Sequence, residues 1–207
     1  MSEKTIKIIA EAFKVIPAGD QIVKQDGKRE ARYIKLATYV YNNAIKHNGL
    51  WLSSNKEGVA VAYVIDPKNK VKKTFSDFIA DIKFAIGVSG IGQGLAILKR
   101  QKYIQAQRPQ DEKYMYWEFT GVNPHYKGMD KASFSAGELR DDVYSYAHEH
   151  KINIFTETSI RKNMVVYRRY GFDIYHEWTM PDGKVMYFLK YDTASKGEFT
   201  RKTIAGK

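Results

Sequence analysis

The chain contains no cysteine, which excludes disulfides, thiolate nucleophiles and zinc–thiolate centres. Proline is scarce, with five in 207 residues. No apolar run approaches the roughly 18 residues of a membrane-spanning helix. Residues Met1 to Lys14 carry Glu3 and Glu11 and lack a small-residue cleavage site behind an apolar core, so no signal peptide is read and a cytoplasmic protein is expected. There is no Gly-x-Ser-x-Gly elbow of the serine-hydrolase kind, no internal repeat and no low-complexity tract. The hydrophobic content of 43% and charged content of 28% suffice for a buried core and exclude collagen-like, mucin-like and disordered chains. Lysine and arginine number 34 against 23 acidic residues, a formal charge of +11. Such a field attracts nucleic acid, anionic surfaces or a polyanionic cofactor. The basic residues are spread out, with mild clusters at Lys68–Lys73, Lys99–Lys113 and Lys196–Lys207. The basic-aromatic stripe of a nucleic-acid binder is absent, which argues against a nucleic-acid partner.

Hydrophobic spacing gives the order of elements. Ile6, Ile9, Ala10 and Phe13 mark a helix that stops before Pro17. A second helix spans about 30–46, with Ile34, Ala37, Tyr41 and Ile45 inward. Strands at 50–53 and 59–65 flank Asn55-Lys56-Glu57-Gly58, a hairpin signal with Gly where a positive φ is wanted. A helix from about Thr74 carries Phe75, Phe78, Ile79, Ile82 and Ile86 on one face. The glycines of Gly87–Gly94 follow a helical pattern and precede no Gly-Lys-Ser/Thr, so they read as a joint between helices and not as a phosphate loop. In strand 114–122, Met115, Trp117 and Phe119 alternate with Tyr114, Tyr116, Glu118, Thr120 and Val122, the second set suiting a wet cleft. A helix from about Glu138, a strand at 152–156, a helix at 161–170 stopped by Gly171, and strands at 172–178 and 185–191 complete the pattern. The fold class is α/β: a mixed sheet flanked by helices, in a single domain over 1–195. Residues 196–207 form a basic tail. His148-Glu149-His150 has its histidines two apart, which on a helix point away from each other, so no metal site is expected.

The second half carries the specific motifs. Strand Tyr116–Val122 leads into Asn123-Pro124-His125-Tyr126-Lys127-Gly128; Glu157-Thr158-Ser159 follows, and then Asn163-x-x-x-Tyr167-x-x-x-Gly171-Phe172. This pattern resembles the GNAT superfamily of acetyl-coenzyme A-dependent N-acetyltransferases over about Met115–Tyr191. The helices and first hairpin, in 1–112, fit the family order more loosely than the core, 113–191. The resemblance implies a mostly antiparallel sheet with a splayed central strand pair, acetyl-CoA as acetyl donor, and transfer to a small-molecule amine with no covalent enzyme intermediate. A homodimer is a further option.

The resemblance also assigns residues. Gly121, Val122 and Asn123 would lie against the pantetheine arm, with the Val122 N–H polarising the reacting carbonyl. Lys127, Gly128, Lys131, Ala132 and Ser133 would form the pyrophosphate loop before a helix. Asp130 stands where the family has a central glycine, and a carboxylate repels phosphate there. Ser135 and Glu138 would cap the helix, leaving the N–H groups of 131–137 as the cradle. Tyr167 would be the general acid and Asn163 a partner of the pantetheine arm. Glu118, expected on one strand face with Tyr116 and Val122, is the candidate general base; Tyr114 and Tyr116 would shape the acceptor site. Asp130 motivates a rival, a catalytically degenerate binding module. The charge motivates a second, a nucleic-acid-associated protein.

Overall fold

Helix α1 (Ser2–Val15) presents Ile8, Ile9, Ala12 and Phe13 to the sheet, and α2 (Arg29–Lys46) packs beside it. These come from a computed structural model that describes residues 2–16, 19, 22–69, 87–126, 129–197 and 199. The elements that follow are β1 (Leu50–Leu52), β2 (Gly58–Ile65), α3 (Ile91–Gln107), β3 (Tyr114–Val122), α4 (Met129–Glu149), β4 (Asn153–Thr158), α5 (Arg161–Arg169), β5 (Asp173–Thr179) and β6 (Val185–Tyr191). The helix expected from Thr74 lies outside the described residues, as do Lys127, Gly128 and 200–207. No helix among the described residues is long and apolar enough to cross a membrane.

The six strands lie in the order β1-β2-β3-β4-β6-β5. Every neighbouring pair is antiparallel except β3 and β4, the central parallel pair. One face packs α1 and α2 over Val59, Val61 and Phe119, while Ile104 of α3 meets Met186 and Phe188. The other face packs Val143, Tyr144 and Ala147 of α4 over Ala62, Met115, Trp117 and Ile154, with Tyr167 of α5 against that cluster. Apolar surface on both sides of the sheet requires helices on both, and this produces the layered architecture.

Four local expectations change. In α2 the buried stripe is Tyr33, Leu36, Ala37, Val40 and Ala44, whereas Ile34 and Ile45 are 44% and 51% exposed. Two apolar stripes share Ala37 on that helix, and the one bearing Tyr33, Leu36 and Val40 faces inward, with Tyr41 partly buried at its side. In the β1–β2 hairpin the positive φ belongs to Lys56, at 57°, and not to Gly58. Gly58 is instead a packing glycine: a Cβ there would lie 3.0 Å from Leu139 and 3.1 Å from Ser135 on α4. The third change concerns α4, which begins at Met129, so Ser135 and Glu138 lie inside it and form no capping box. Their side chains bind the first hairpin: Asn55 Nδ2 donates to Ser135 Oγ at 2.9 Å, and the Ser54 N–H donates to Glu138 Oε2 at 2.9 Å.

The fourth change is in β3. Val61 pairs with Phe119 but its neighbour Ala62 pairs with Trp117, so Glu118 is the extra residue of a β-bulge. The bulge reverses the alternation. Met115 and Trp117 join the α4 cluster while Phe119 stacks on Phe13 of α1, with ring centroids 4.7 Å apart. Tyr116 and Val122 therefore lie on opposite faces, and the single wet face expected for the even positions does not form.

Candidate active site

The pairing of β3 with β4 ends early. Tyr114, Met115 and Tyr116 face Asn153, Ile154 and Phe155, and beyond that point the strands part. The rest of β4 follows β6, through Thr158 opposite Tyr187, while the rest of β3 stays on β2, through Val122 opposite Gly58. A gap opens between their C-terminal ends. The Asn123 N–H donates to Glu57 O across the β2–β3 pair at 2.8 Å. Successive residues of a strand direct their N–H groups to opposite edges, so the Val122 N–H faces the gap. The first turn of α4, from Met129, follows the same strand, and the leading N–H groups of a helix have no intrahelical acceptor. The helix terminus after β3 thus lies at 129–132 and not at the 131–137 expected. Lys131, Ala132 and Ser133 lie in that opening stretch; Asp130 does too.

Glu118, at the bulge, is half-buried, yet its Oε2 is closed off and has no hydrogen-bond partner. A buried acceptor left unsatisfied costs about 1–3 kcal/mol. Burial pushes its carboxyl pKa upward and the nearby Glu157 adds to this; hydrogen bonds from Tyr63 and Asn43 and the charge of Arg108 work in the opposite direction. Tyr63, Tyr114, Tyr116, Arg108 and Glu118 line one cavity of about 210 Å³ on the α1–α3 side of the sheet.

Arg108, at the C-terminus of α3, holds this cavity together. Its Nη2 donates to Glu157 Oε1 at 2.5 Å, and its Cζ lies 3.5 Å from the centre of the Tyr116 ring. The Tyr116 hydroxyl donates to the same Glu157 oxygen at 2.7 Å. Arg108 and Glu157 side chains are only 4% and 9% exposed, and Arg108 Nε has no partner. Burial would lower the Arg108 pKa, but Tyr116 and Glu157 raise it overall, so the guanidinium stays charged. Burial raises Tyr63 and Tyr116 well above the ordinary phenol value.

Tyr167 approaches from the other face, its ring 5.2 Å from Phe172 and 6.3 Å from Trp117. Burial raises its pKa, opposed by a hydrogen bond with the Thr156 hydroxyl. Asn163 is exposed on α5. The Asn123 side chain is engaged locally: Nδ2 donates to Glu57 Oε2 at 2.8 Å and Oδ1 accepts from the His125 N–H at 3.0 Å. His148 and His150 serve different partners, Tyr191 OH at 3.0 Å and Tyr146 O at 2.9 Å. A larger cavity of about 760 Å³, lined by His148 among others, lies beside Asn153 and the C-terminal end of α4, away from the gap.

Sequence reasoning passed over Tyr63, Arg108 and Glu157. Glu157 was visible inside the Glu-Thr-Ser motif without a role; Arg108 stood in a mild basic cluster; Tyr63 was one aromatic among 15 tyrosines.

No family model and no curated protein matches the chain. Solved structures do share its fold. An acetyltransferase from Corynebacterium glutamicum, described as histone acetyltransferase HPA2 and related acetyltransferase, superposes with a TM-score of 0.55 at 16% identity over 92% of this chain and 90% of its own. Arylalkylamine N-acetyltransferase 2 from Aedes aegypti gives 0.57 at 10% identity over 93% and 94%. A Drosophila melanogaster polyamine N-acetyltransferase that forms N-acetylagmatine gives 0.55 at 9% over 91% and 93%. The chain has the GNAT fold.

Proposed function

We propose that the protein is an N-acetyltransferase that moves an acetyl group from acetyl-CoA to the primary amine of a small acceptor, by direct attack within a ternary complex. The observation that carries this reading is the gap between β3 and β4. The Val122 N–H faces into it, with Glu118 on one side of the sheet and Tyr167 on the other. The same fold supports acetyl transfer to amines in the proteins named above.

The residues suit the cofactor. The free edge of β3 at Val122, between Gly121 and Asn123, would hold the pantetheine arm, with Asn163 beside it. The start of α4, with Lys131, Ala132 and Ser133, would take the pyrophosphate, with Lys127 and Gly128 leading into it. Acetyl-CoA, when bound, supplies a thioester carbonyl open to attack by an amine. The Val122 N–H donates to the carbonyl oxygen as negative charge develops there. Glu118 accepts the proton released by the attacking amine, a task suited to a carboxylate whose pKa lies above the ordinary range. Tyr167 keeps its hydroxyl proton at neutral pH and delivers it to the departing sulfur. A cysteine-free chain offers no thiol for an acyl-enzyme.

Calorimetric titration with acetyl-CoA, and with coenzyme A alongside, tests the reading. Micromolar binding with thiol release in an amine screen is expected. No binding at millimolar cofactor would overturn it. Binding without turnover of any amine would favour the degenerate module that Asp130 suggests.

A further inference from the structure

The cavity beneath Glu118 has a chemistry of its own. Among the described residues its lining has one carboxylate, one guanidinium, the amide side chains of Gln101, Gln105 and Gln110, three tyrosines and the aliphatic Ile65. Its 210 Å³ equals about seven water molecules at ~30 Å³ each, below the 300–1,000 Å³ of sites that take drug-sized ligands. Two polar atoms on its lining side chains are buried without partners, one an acceptor, Glu118 Oε2, and the other a donor, Arg108 Nε. Glu157 is already neutralised by Arg108 at 2.5 Å and by the Tyr116 hydroxyl. Among the described residues, Glu118 is thus the one carboxylate of the cavity left to meet a cation.

Building on the transferase reading, we infer that the acceptor is a free amino acid or a close analogue, its amine at Glu118 and its carboxylate at Arg108. One small zwitterion complements both charged side chains of the lining, a donor for Glu118 and an acceptor for Arg108. Arg108 then acts as the specificity-determining residue. Its guanidinium is held by Glu157 and by the Tyr116 ring, so it is preorganised before the acceptor arrives. In the reaction the amine nitrogen forms the new N–C bond and the C–S bond breaks. One amine proton passes to Glu118, and the sulfur leaves with the proton of Tyr167.

The test pairs each of the twenty protein amino acids with the amine left by removing its carboxylate, with its carboxamide and with a dipeptide bearing it at the N-terminus. Thiol release from acetyl-CoA gives kcat/KM, and calorimetry on the protein without cofactor gives acceptor affinity directly. At least one amino acid is expected to bind, and to exceed its decarboxylated partner by about 100-fold in kcat/KM, because that partner makes no contact with the Arg108 guanidinium. Arg108→Lys should reduce this ratio below about tenfold, and Gln105→Leu offers a milder second variant on an exposed helix position. Acetyl-CoA affinity should stay unchanged in both. Amines or dipeptides used as well as free amino acids would overturn the inference, and so would the absence of amino-acid binding in a protein that binds acetyl-CoA. Failure to bind acetyl-CoA is a separate result and strikes the transferase reading itself.

Discussion

Glu118 carries opposite consequences for activity and stability. Its pKa is raised, first by burial and then by Glu157, against the hydrogen bonds of Tyr63 and Asn43 and the charge of Arg108. Between the ordinary carboxylate pKa and its own, the folded protein binds more protons than the unfolded chain. Stability contributed by this group therefore falls as pH rises through that window and stays low above it. On the proposed mechanism activity runs the other way, since only the ionised form accepts a proton, so kcat/KM is expected to rise with pH through the Glu118 pKa. Glu118→Gln removes the charge at nearly constant shape. We expect kcat/KM to fall about 100-fold and to lose that ascending limb. Thermal unfolding at pH 8 should move upward, by roughly 2–4 °C for each 1 kcal/mol recovered. A variant equally active but less stable at pH 8 would remove Glu118 from the mechanism. Tyr167→Phe separates differently. Losing the acid should lower kcat by about 100-fold while leaving the calorimetric Kd for acetyl-CoA within a factor of two, because the ring keeps its packing on Phe172 and Trp117. A loss confined to Kd would make Tyr167 a packing residue.

At the scale of the element, the bulge in β3 decides how the site is assembled. Val61 opposite Phe119 and Ala62 opposite Trp117 would become consecutive regular pairs if Glu118 were deleted. Every other residue of β3 would then keep its present face. Deletion is expected to leave a folded protein with an unchanged far-ultraviolet circular dichroism spectrum and no acetyl transfer. An unfolded product would show that the bulge is needed for the strand and not only for the side chain. The same bulge explains what the sequence could and could not convey. Strand β3 was legible from its aromatic alternation, α5 from Asn163 to Gly171, and the splay from the resemblance these motifs carry. The bulge was not legible, because Tyr-Met-Tyr-Trp-Glu-Phe-Thr reads as a perfect period of two and register is fixed by the partner strand. The start of α4 was misplaced because Ser135 and Glu138 mimic a capping box while in fact bonding to Asn55 and Ser54, some 80 residues away in the chain. Arg108 and Glu157 were hidden for a related reason: their meaning lies in a contact across 49 positions.

At the scale of the molecule, the excess charge of +11 fits a polyanionic cofactor as well as it fits nucleic acid, and kinetics tells the two apart. A positive field speeds the approach of an anion over distances set by screening. The Debye length shrinks from roughly 10 Å at 0.1 M salt to about 3 Å at 1 M, which removes the long-range part of the attraction. The contacts proposed to form after docking, with the Val122 N–H and the start of α4 among them, span only a few ångströms and would be screened much less. Stopped-flow mixing with acetyl-CoA between 50 mM and 500 mM NaCl should therefore show the association rate falling about tenfold and the dissociation rate changing less than twofold. A duplex of random sequence measured in the same buffers should bind weakly and lose affinity along a shallow slope, since the positive charge is spread over the chain and few phosphates can be met at once. A slope steeper than six in log K against log salt, together with an acetyl-CoA association rate indifferent to salt, would transfer the role of the charge from the cofactor to nucleic acid.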